Sequence, residues 1–350
     1  MTGPIEIAGR TIGEGHKAYI IAEISGNHNQ QFERAEELVR AAASAGAEAV
    51  KLQTYTPDTI TIDCDNEYFR IQKGTLWEGK TLYGLYGEAY TPWEWHPQLK
   101  EIATEEGMAI FSTPFDNTAV DFLESQDVPA YKIASFEIVD IPLIRRVAQT
   151  GRPMIISTGM ASLGEIELAV RTAREYGCNE LALLKCTSAY PSPPSSMNLR
   201  TIRHLAAAFA CPAGLSDHTL GVAVPVAAVA LGATIIEKHI TLRRSDGGPD
   251  AAFSLEPEEF AAMVQAVRTA EEALGEVTYQ ITPDQQASRA FRRSLFVVED
   301  IAQGQPFTPK NVRSIRPGHG LPPREYDNIL GRRAATNLKR GTPLTREHIL

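Results

Sequence analysis

Cysteine is scarce and scattered in this sequence. The four cysteines, Cys64, Cys178, Cys186 and Cys211, stand far apart with no C-x-x-C pair. That excludes a disulfide framework and a thiolate zinc site, and it predicts buried reduced thiols. The opening MTGPIEIAGRTIGEG has no basic stretch followed by an apolar core, so no secretory signal is read there. The longest apolar run, 221–236, is 16 residues, is broken by Pro225 and ends in Glu237-Lys238-His239. It is too short to span a bilayer, and a soluble, cytoplasmic protein with no membrane partner is expected. No low-complexity stretch occurs, and no G-x-G-x-x-G follows the first expected strand.

What is present is the composition of a globular chain. Of 350 residues, 43% are hydrophobic and 22% charged, enough for one large or two ordinary domains and against disorder. The formal charge of −9 is unevenly spread, because residues 291–350 carry 11 Lys+Arg against 5 Asp+Glu. A basic tail suits either nucleic acid or an acidic small-molecule site. No aromatic-basic RNA motif accompanies it, so no nucleic-acid partner is expected.

Short β-branched or apolar runs alternate with Ala-rich, Glu/Arg-bearing helical segments, the pattern of βα units around a parallel sheet. Eight runs read as strands: 18–25, 49–55, 109–115, 130–135, 154–160, 181–188, 211–218 and 234–241. Ala18 to Leu274 spans 257 residues, close to the ~250 of an eight-unit (β/α)8 barrel. The expected organisation is an α/β chain: a TIM barrel over 1–274, a polar connector over 275–290, and a small module of short strands over 291–350. Sixty residues are marginal alone, so this module is expected to pack on the barrel or on another subunit. The second βα loop, Thr56 to Thr91, is long and aromatic, and Trp77, Trp93 and Trp95 all fall in or just after it. It reads equally as a lid or sugar-stacking wall over the mouth and as an insertion packed on itself or on a partner.

In a barrel, chemistry collects at the C-terminal strand ends. Here those ends offer Glu23, Lys51 with Gln53, Ser112 with Thr113, Lys132 with Ser135, Ser157 with Thr158, Thr187 with Ser188, Ser216 with His218, and Glu237 with His239. Pairs two residues apart share one strand face, here the barrel interior. Buried lysines need a partner or a charged ligand. Lys51 and Lys132, with the hydroxyls of Thr113, Ser135, Ser157 and Ser216, suit a phosphate plus a carboxylate. A Schiff-base lysine or a structural Lys–Glu pair are the alternatives. His218 and His239, on neighbouring strand ends with Glu23 nearby, suit a divalent ion with open positions, against the alternative of hydrogen-bonded core histidines.

The strings IAEISGNHNQ, VKLQTYTPDT, STPF, YKIASFE, ISTGM, KCTSAYPSP, GLSDHT, EKHIT and GGPDAAFSL resemble the sialic acid synthase family in order and spacing. The tail around IRPGHGL resembles its antifreeze-like C-terminal (SAF, β-clip) domain. The resemblance covers essentially the whole chain. It implies a metal-dependent condensation of phosphoenolpyruvate with an open-chain N-acetylated amino sugar, giving a nine-carbon 2-keto acid and phosphate. SGNHNQ, LWEGKTLYGLYGEAYTPWEWH and YKIASFEIVDIPLI are most similar to the pseudaminate-forming branch, whose acceptor is a 2,4-diacetamido-2,4,6-trideoxy-altrose. Neuraminate or legionaminate formation by the same chemistry is the alternative.

Carried over by position, the resemblance implies that Lys51, Thr113, Lys132, Ser135, Ser157 and Ser216 hold phosphoenolpyruvate. Ser188 stands where neuraminate-forming members have Asn, which puts its phosphate contact in question. His218 and His239 match the ligands of a divalent metal, with Mn2+ expected and Mg2+ or Co2+ as alternatives. Glu23 matches the carboxylate beside that metal and its water. Gln53, Glu137, Tyr190 and Asp250 match sugar-facing positions. Arg316 matches an arginine that reaches the sugar from the partner subunit, which implies a homodimer with exchanged C-terminal domains. A Schiff-base aldolase and a binding or ice-interacting protein are the distant alternatives.

Overall fold

The structure is a computed structural model and describes residues 3–72, 74 and 76–350. Met1 and Thr2, and Lys73 and Thr75 of the expected insertion, lie outside that range. The chain divides into two compact units, Met1–Gly275 and Glu276–Leu350.

In the first unit a hairpin, β1 (Ile5–Ile7) and β2 (Arg10–Ile12), precedes eight parallel strands. These are β3 (Tyr19–Glu23), β4 (Ala49–Thr54), β5 (Ala109–Pro114), β6 (Tyr131–Ile133), β7 (Met154–Ser157), β8 (Leu181–Cys186), β9 (Ala213–Asp217) and β10 (Ile235–His239). They close in sequence order, with β10 returning to β3. This is the expected (β/α)8 barrel. The strands are shorter than the sequence suggested, so Ser135, Ser188 and His218 stand just past their ends rather than on them. The hairpin was missed from sequence, since three-residue strands carry little periodicity.

The helices are α1 (Phe32–Ser44), α2 (Pro57–Ile60), α3 (Leu82–Ala89), α4 (His96–Glu105), α5 (Asn117–Ser125), α6 (Ile141–Ala148), α7 (Leu163–Glu175), α8 (Thr201–Phe209), α9 (Ala223–Ala230) and α10 (Pro257–Leu274). Their apolar stripes follow helical spacing, as with Ala35, Leu38, Val39 and Ala42 of α1. Those stripes pack on the outward residues of the strands, among them Ile20, Ala22, Val50, Leu52 and Leu183, to form the main core. Several starts are chemically defined: Asp116 accepts from the backbone N–H of Thr118 and Ala119, and Ser162 with Glu165 forms a capping box.

A second, smaller core fills the barrel's interior. Tyr19, Ile21, Ala49, Phe111, Ile155, Ala182, Leu184 and Ile235 point inward, and Ile5, Ile7 and Ile12 of the hairpin pack against them from the N-terminal end. The inward side chain changes every second residue. Moving up the strands, the apolar floor therefore gives way to Glu23, Lys51, Thr113, Lys132, Ser157, Ser216 and Glu237, all buried.

Between β9 and β10 another charged pair faces the helices. The ammonium of Lys238 donates to Asp217 at 2.6 Å and to the Thr219 carbonyl, and both charged side chains are fully buried. At Gly214 a Cβ would meet the Ile235 carbonyl at 2.3 Å, so the adjacent strands approach too closely for any side chain there.

The second unit has its own core of Leu295, Val297, Ile301, Phe307, Val312, Ile329, Ala334, Leu338 and Leu344 around the pair β11 (Ser294–Val297) and β12 (Val312–Ile315). The stretch expected as a plain connector contains a helix, α11 (Pro283–Ser288), started by a capping box of Thr282 and Gln285. All four cysteines are free; three are buried and Cys64 is half-buried. Among the described residues, no helix is long and apolar enough to cross a membrane.

Asp217→Ala would leave Lys238 charged and unpaired in the barrel wall, at a cost of about 3–5 kcal/mol. All three tryptophans lie in the first unit, so urea unfolding followed by tryptophan fluorescence reads this loss directly.

Candidate active site

The polar upper layer of the barrel is a continuous ladder of charge. The ammonium of Lys51 bonds the Glu23 carboxylate, reaches the Thr113 hydroxyl at 3.3 Å and lies 3.9 Å from Glu237. Lys132 donates to Ser157 at 2.7 Å and lies 3.5 Å from the other oxygen of Glu237. Ser216 donates to that same oxygen at 2.8 Å, and Gln53 donates to Glu23 at 3.1 Å. Four elements of the sheet, β3, β4, β6 and β10, thus contribute alternating charges that none could hold alone.

The two interior lysines were expected to need a partner or a charged ligand. Each faces a carboxylate, the geometry of the Lys–Glu alternative, with the hydroxyls of Thr113 and Ser157 beside them. Balance is incomplete, however, because one oxygen of Glu237, 3.9 Å from Lys51, lacks a hydrogen-bond partner. Burial, followed by the charge of Glu237, leaves the Glu23 carboxyl above the ordinary carboxylate range in spite of Lys51. Burial also pulls Lys132 below the ordinary lysine range, and Glu237 offsets this only in part. Burial acts against the charge on Lys51 as well, but Glu23 and Glu237 outweigh it and its value rises.

Glu237 is the residue that sequence reasoning left without a role. The spacing of Glu237 and His239 on one strand face was visible, but its place between two lysines required the closed barrel.

Beside the ladder, His218 and His239 lie with ring centroids 5.3 Å apart. Nδ1 of His218 is 3.3 Å from the Thr187 carbonyl, and Nδ1 of His239 is 3.3 Å from the Ser25 hydroxyl. Burial pushes His218 down to about 4 and His239 well below the usual histidine range, so both rings are neutral. Neutral imidazoles oriented through Nδ1, with Nε2 left over, fit a divalent ion. Glu23 does not join them. Among the described residues no group of three His, Cys, Asp or Glu side chains is arranged to hold a metal. The protein would supply two ligands and leave the remaining positions open.

Over this layer lie the other expected residues. Ser135 and Ser188 share a hydrogen bond of 2.9 Å. Tyr190 packs its ring 4.6 Å from His218 and 5.2 Å from Phe253. Burial raises Asp250 although the Ser25 hydroxyl and the Gly26 amide donate to it. Glu137 sits on the turn after β6 with one buried, unpartnered oxygen, and burial pushes its carboxyl up to about 7. Arg316 lies in the second unit, exposed and, among the described residues, without a carboxylate partner.

The three tryptophans in and just after the aromatic insertion have different surroundings. Trp93 stacks on Phe122 at 4.9 Å and Trp95 packs edge-on against Phe32 and His28, so both are packing residues. Trp77 is different: it lies 5.7 Å from Tyr190 and donates its indole N–H to the Pro249 carbonyl at 2.7 Å, next to Asp250. The SGNHNQ segment fastens the far end of this insertion. Gln30 donates to the carbonyls of Glu88 and Tyr90, and His28 bonds the Thr91 hydroxyl at 3.2 Å. Ser25, Asn29 and Gln30 take positive φ to make that tight path.

Residues 38–279 match the model of the NeuB family, and residues 292–350 match that of the SAF domain. The chain belongs to the NeuB family. This NeuB-family chain is 45% identical to the pseudaminic acid synthase of Helicobacter pylori over 331 residues, 94% of this chain and 97% of that one. It is 40% identical to the N,N'-diacetyllegionaminic acid synthase of Legionella pneumophila, with 96% of each covered. Its fold matches the crystal structure of an N-acetylneuraminic acid synthetase from Leptospira borgpetersenii in complex with citrate. That match has a TM-score of 0.73 at 32% identity and covers 82% of this chain and 95% of the other.

Glu137 makes stability depend on pH. A carboxyl near 7 when folded, against an ordinary 4.5, binds more protons folded than unfolded between those values. Its stabilising proton is therefore held at low pH and lost as pH rises through 7. Glu137→Gln should unfold at a free energy higher than wild type by about 2–3 kcal/mol at pH 8. At pH 4 the two proteins should coincide in urea titrations.

Proposed function

We propose that this protein condenses phosphoenolpyruvate with 2,4-diacetamido-2,4,6-trideoxy-L-altrose to give pseudaminate and phosphate. The observation that carries the chemistry is the buried Glu23–Lys51–Glu237–Lys132 ladder with the hydroxyls of Thr113, Ser135, Ser157, Ser188 and Ser216 around it. Supporting the choice of sugar is 45% identity to a pseudaminic acid synthase over nearly the whole of both chains, against 40% to a legionaminate-forming relative. Legionaminate or neuraminate formation is the second reading, with the same chemistry.

Lys132 and Lys51 neutralise the phosphate and carboxylate of phosphoenolpyruvate, while the hydroxyls donate to its oxygens. Glu237 stays between the lysines and keeps both ammonium groups aimed at one locus. A divalent ion on His218 and His239, Mn2+ in this reading, would supply Lewis-acid polarisation of the sugar's aldehyde. C3 of the enol attacks that carbon, and water adds at C2. Glu23, a buried carboxylate whose proton affinity is raised by burial, accepts the proton of that water, and the tetrahedral centre then expels phosphate. Gln53, Glu137, Tyr190 and Asp250 face the sugar, and Trp77 forms an apolar wall beside Tyr190.

The homodimer belongs to the same reading, with Arg316 of the partner subunit reaching the sugar. The positive balance of residues 291–350 supports it. So do Phe136, Val139 and Met160 on the loops after β6 and β7 and Leu163 at the start of α7, all exposed apolar side chains.

Phosphate release from phosphoenolpyruvate is expected with the altrose, and not with N-acetylmannosamine or the legionaminate precursor. It should stop on chelation and return with Mn2+. Turnover confined to another sugar would overturn the substrate, and no turnover from folded, metal-loaded protein would overturn the activity. Lys132→Met should lower kcat/KM by about 10²–10³-fold. Trp77→Ala should raise KM for the sugar by about 10-fold while leaving KM for phosphoenolpyruvate unchanged.

A further inference from the structure

Lys185 is a cation the proposed reaction does not use. It lies on β8 two residues after Leu183, which packs in the outer core, so its side chain leaves the barrel on the helix side. There it is half-buried, donating to the Cys186 carbonyl and to the Thr187 hydroxyl at 3.2 Å. Among the described residues no carboxylate pairs with it, and none pairs with Arg200. Both line a groove of about 750 Å³ between the loop after β7 and the start of α8. Thr158, Asn198 and Thr201 add polar groups to its wall, and no Asp or Glu lines it. In a chain of formal charge −9, an acid-free recess with two cations is a local positive field.

The groove is one backbone thick at Gly159. A Cβ on that residue would stand 2.4 Å from Cβ of Ser135 and 2.9 Å from the Ser188 hydroxyl. Whatever presses on Gly159 from the groove therefore presses on the Ser135–Ser188 pair inside the mouth.

We propose that this groove is a second oxyanion site, which takes inorganic phosphate or the phosphoryl group of a small ester through Lys185 and Arg200 and whose occupancy is felt at Ser135 and Ser188. Binding in the groove stands independently of the proposed reaction. Its effect on phosphoenolpyruvate rests on that reading. Lys185 is pulled down by burial, and a bound anion would favour its charged form, so geometry and electrostatics select the same ligand class.

Calorimetric titration of the full chain with inorganic phosphate tests the binding without reference to turnover. Wild type should take one more equivalent than Lys185→Gln/Arg200→Gln. Arg200→Gln alone, an exposed change that spares the fold, should weaken the second event by about 10-fold, the loss of a charge-assisted contact. Equal stoichiometry and affinity in wild type and variants would overturn the site. Titration with phosphoenolpyruvate distinguishes the sources: filling both sites means that the groove accepts a phosphate ester, and filling one means that it takes the free ion. In steady-state kinetics, phosphate should inhibit wild type in a mixed pattern against phosphoenolpyruvate and the double variant purely competitively, with kcat unchanged. Purely competitive inhibition of wild type would overturn the coupling.

Discussion

The alternation of Lys51 and Lys132 with Glu23 and Glu237 inside the barrel is the constraint on which the rest of the architecture turns. Four buried charges are tolerable only when each finds an opposite charge and a hydrogen bond, because removing one partner strands another in a low-dielectric interior. The barrel satisfies this by bringing four strands to one level, above a floor sealed by Tyr19, Phe111, Leu184 and the isoleucines of the N-terminal hairpin. The hydroxyls of Thr113, Ser157 and Ser216 bond Lys51, Lys132 and Glu237 and complete the ladder.

The ladder also explains why the carboxyl groups differ although all are buried. Glu237 lies between two lysines and is held below the ordinary range, their charge outweighing a burial effect that alone would raise it. Glu23 has one lysine and the repulsion of Glu237, so burial prevails and it rises. Glu137 has no paired cation and moves up to about 7. Three glutamates around one mouth thus differ in proton affinity through what faces each of them.

Around this centre the loops do separate jobs. SGNHNQ is largely a fastening: Asn27 bonds the Ile240 carbonyl and the Ser254 hydroxyl, while His28 and Gln30 hold residues 88–91. The insertion so anchored sends Trp77 back over the mouth to Pro249 and Tyr190. Aromatic residues of one loop therefore serve two ends, with Trp93 and Trp95 stabilising its base and Trp77 shaping the opening.

The sequence by itself determined the barrel, because eight βα alternations over about 250 residues leave few other closed arrangements. It also determined which residues face inward near the strand ends, since the period of two is a property of any strand. Lys51 with Gln53 and Glu237 with His239 were legible on that basis. Three things were decided only in three dimensions. Pairing Glu237 with both lysines depends on β10 closing against β3 and on β6 standing across the barrel from it, and no local pattern encodes that distance. Assigning Trp77 to the mouth and Trp93 and Trp95 to packing depends on where a long loop folds back. The acid-free groove around Lys185 exists only because β8, α8 and the loop after β7 meet there. Charge and period are written locally, but the partner that neutralises a charge, or fails to, is chosen by tertiary contact.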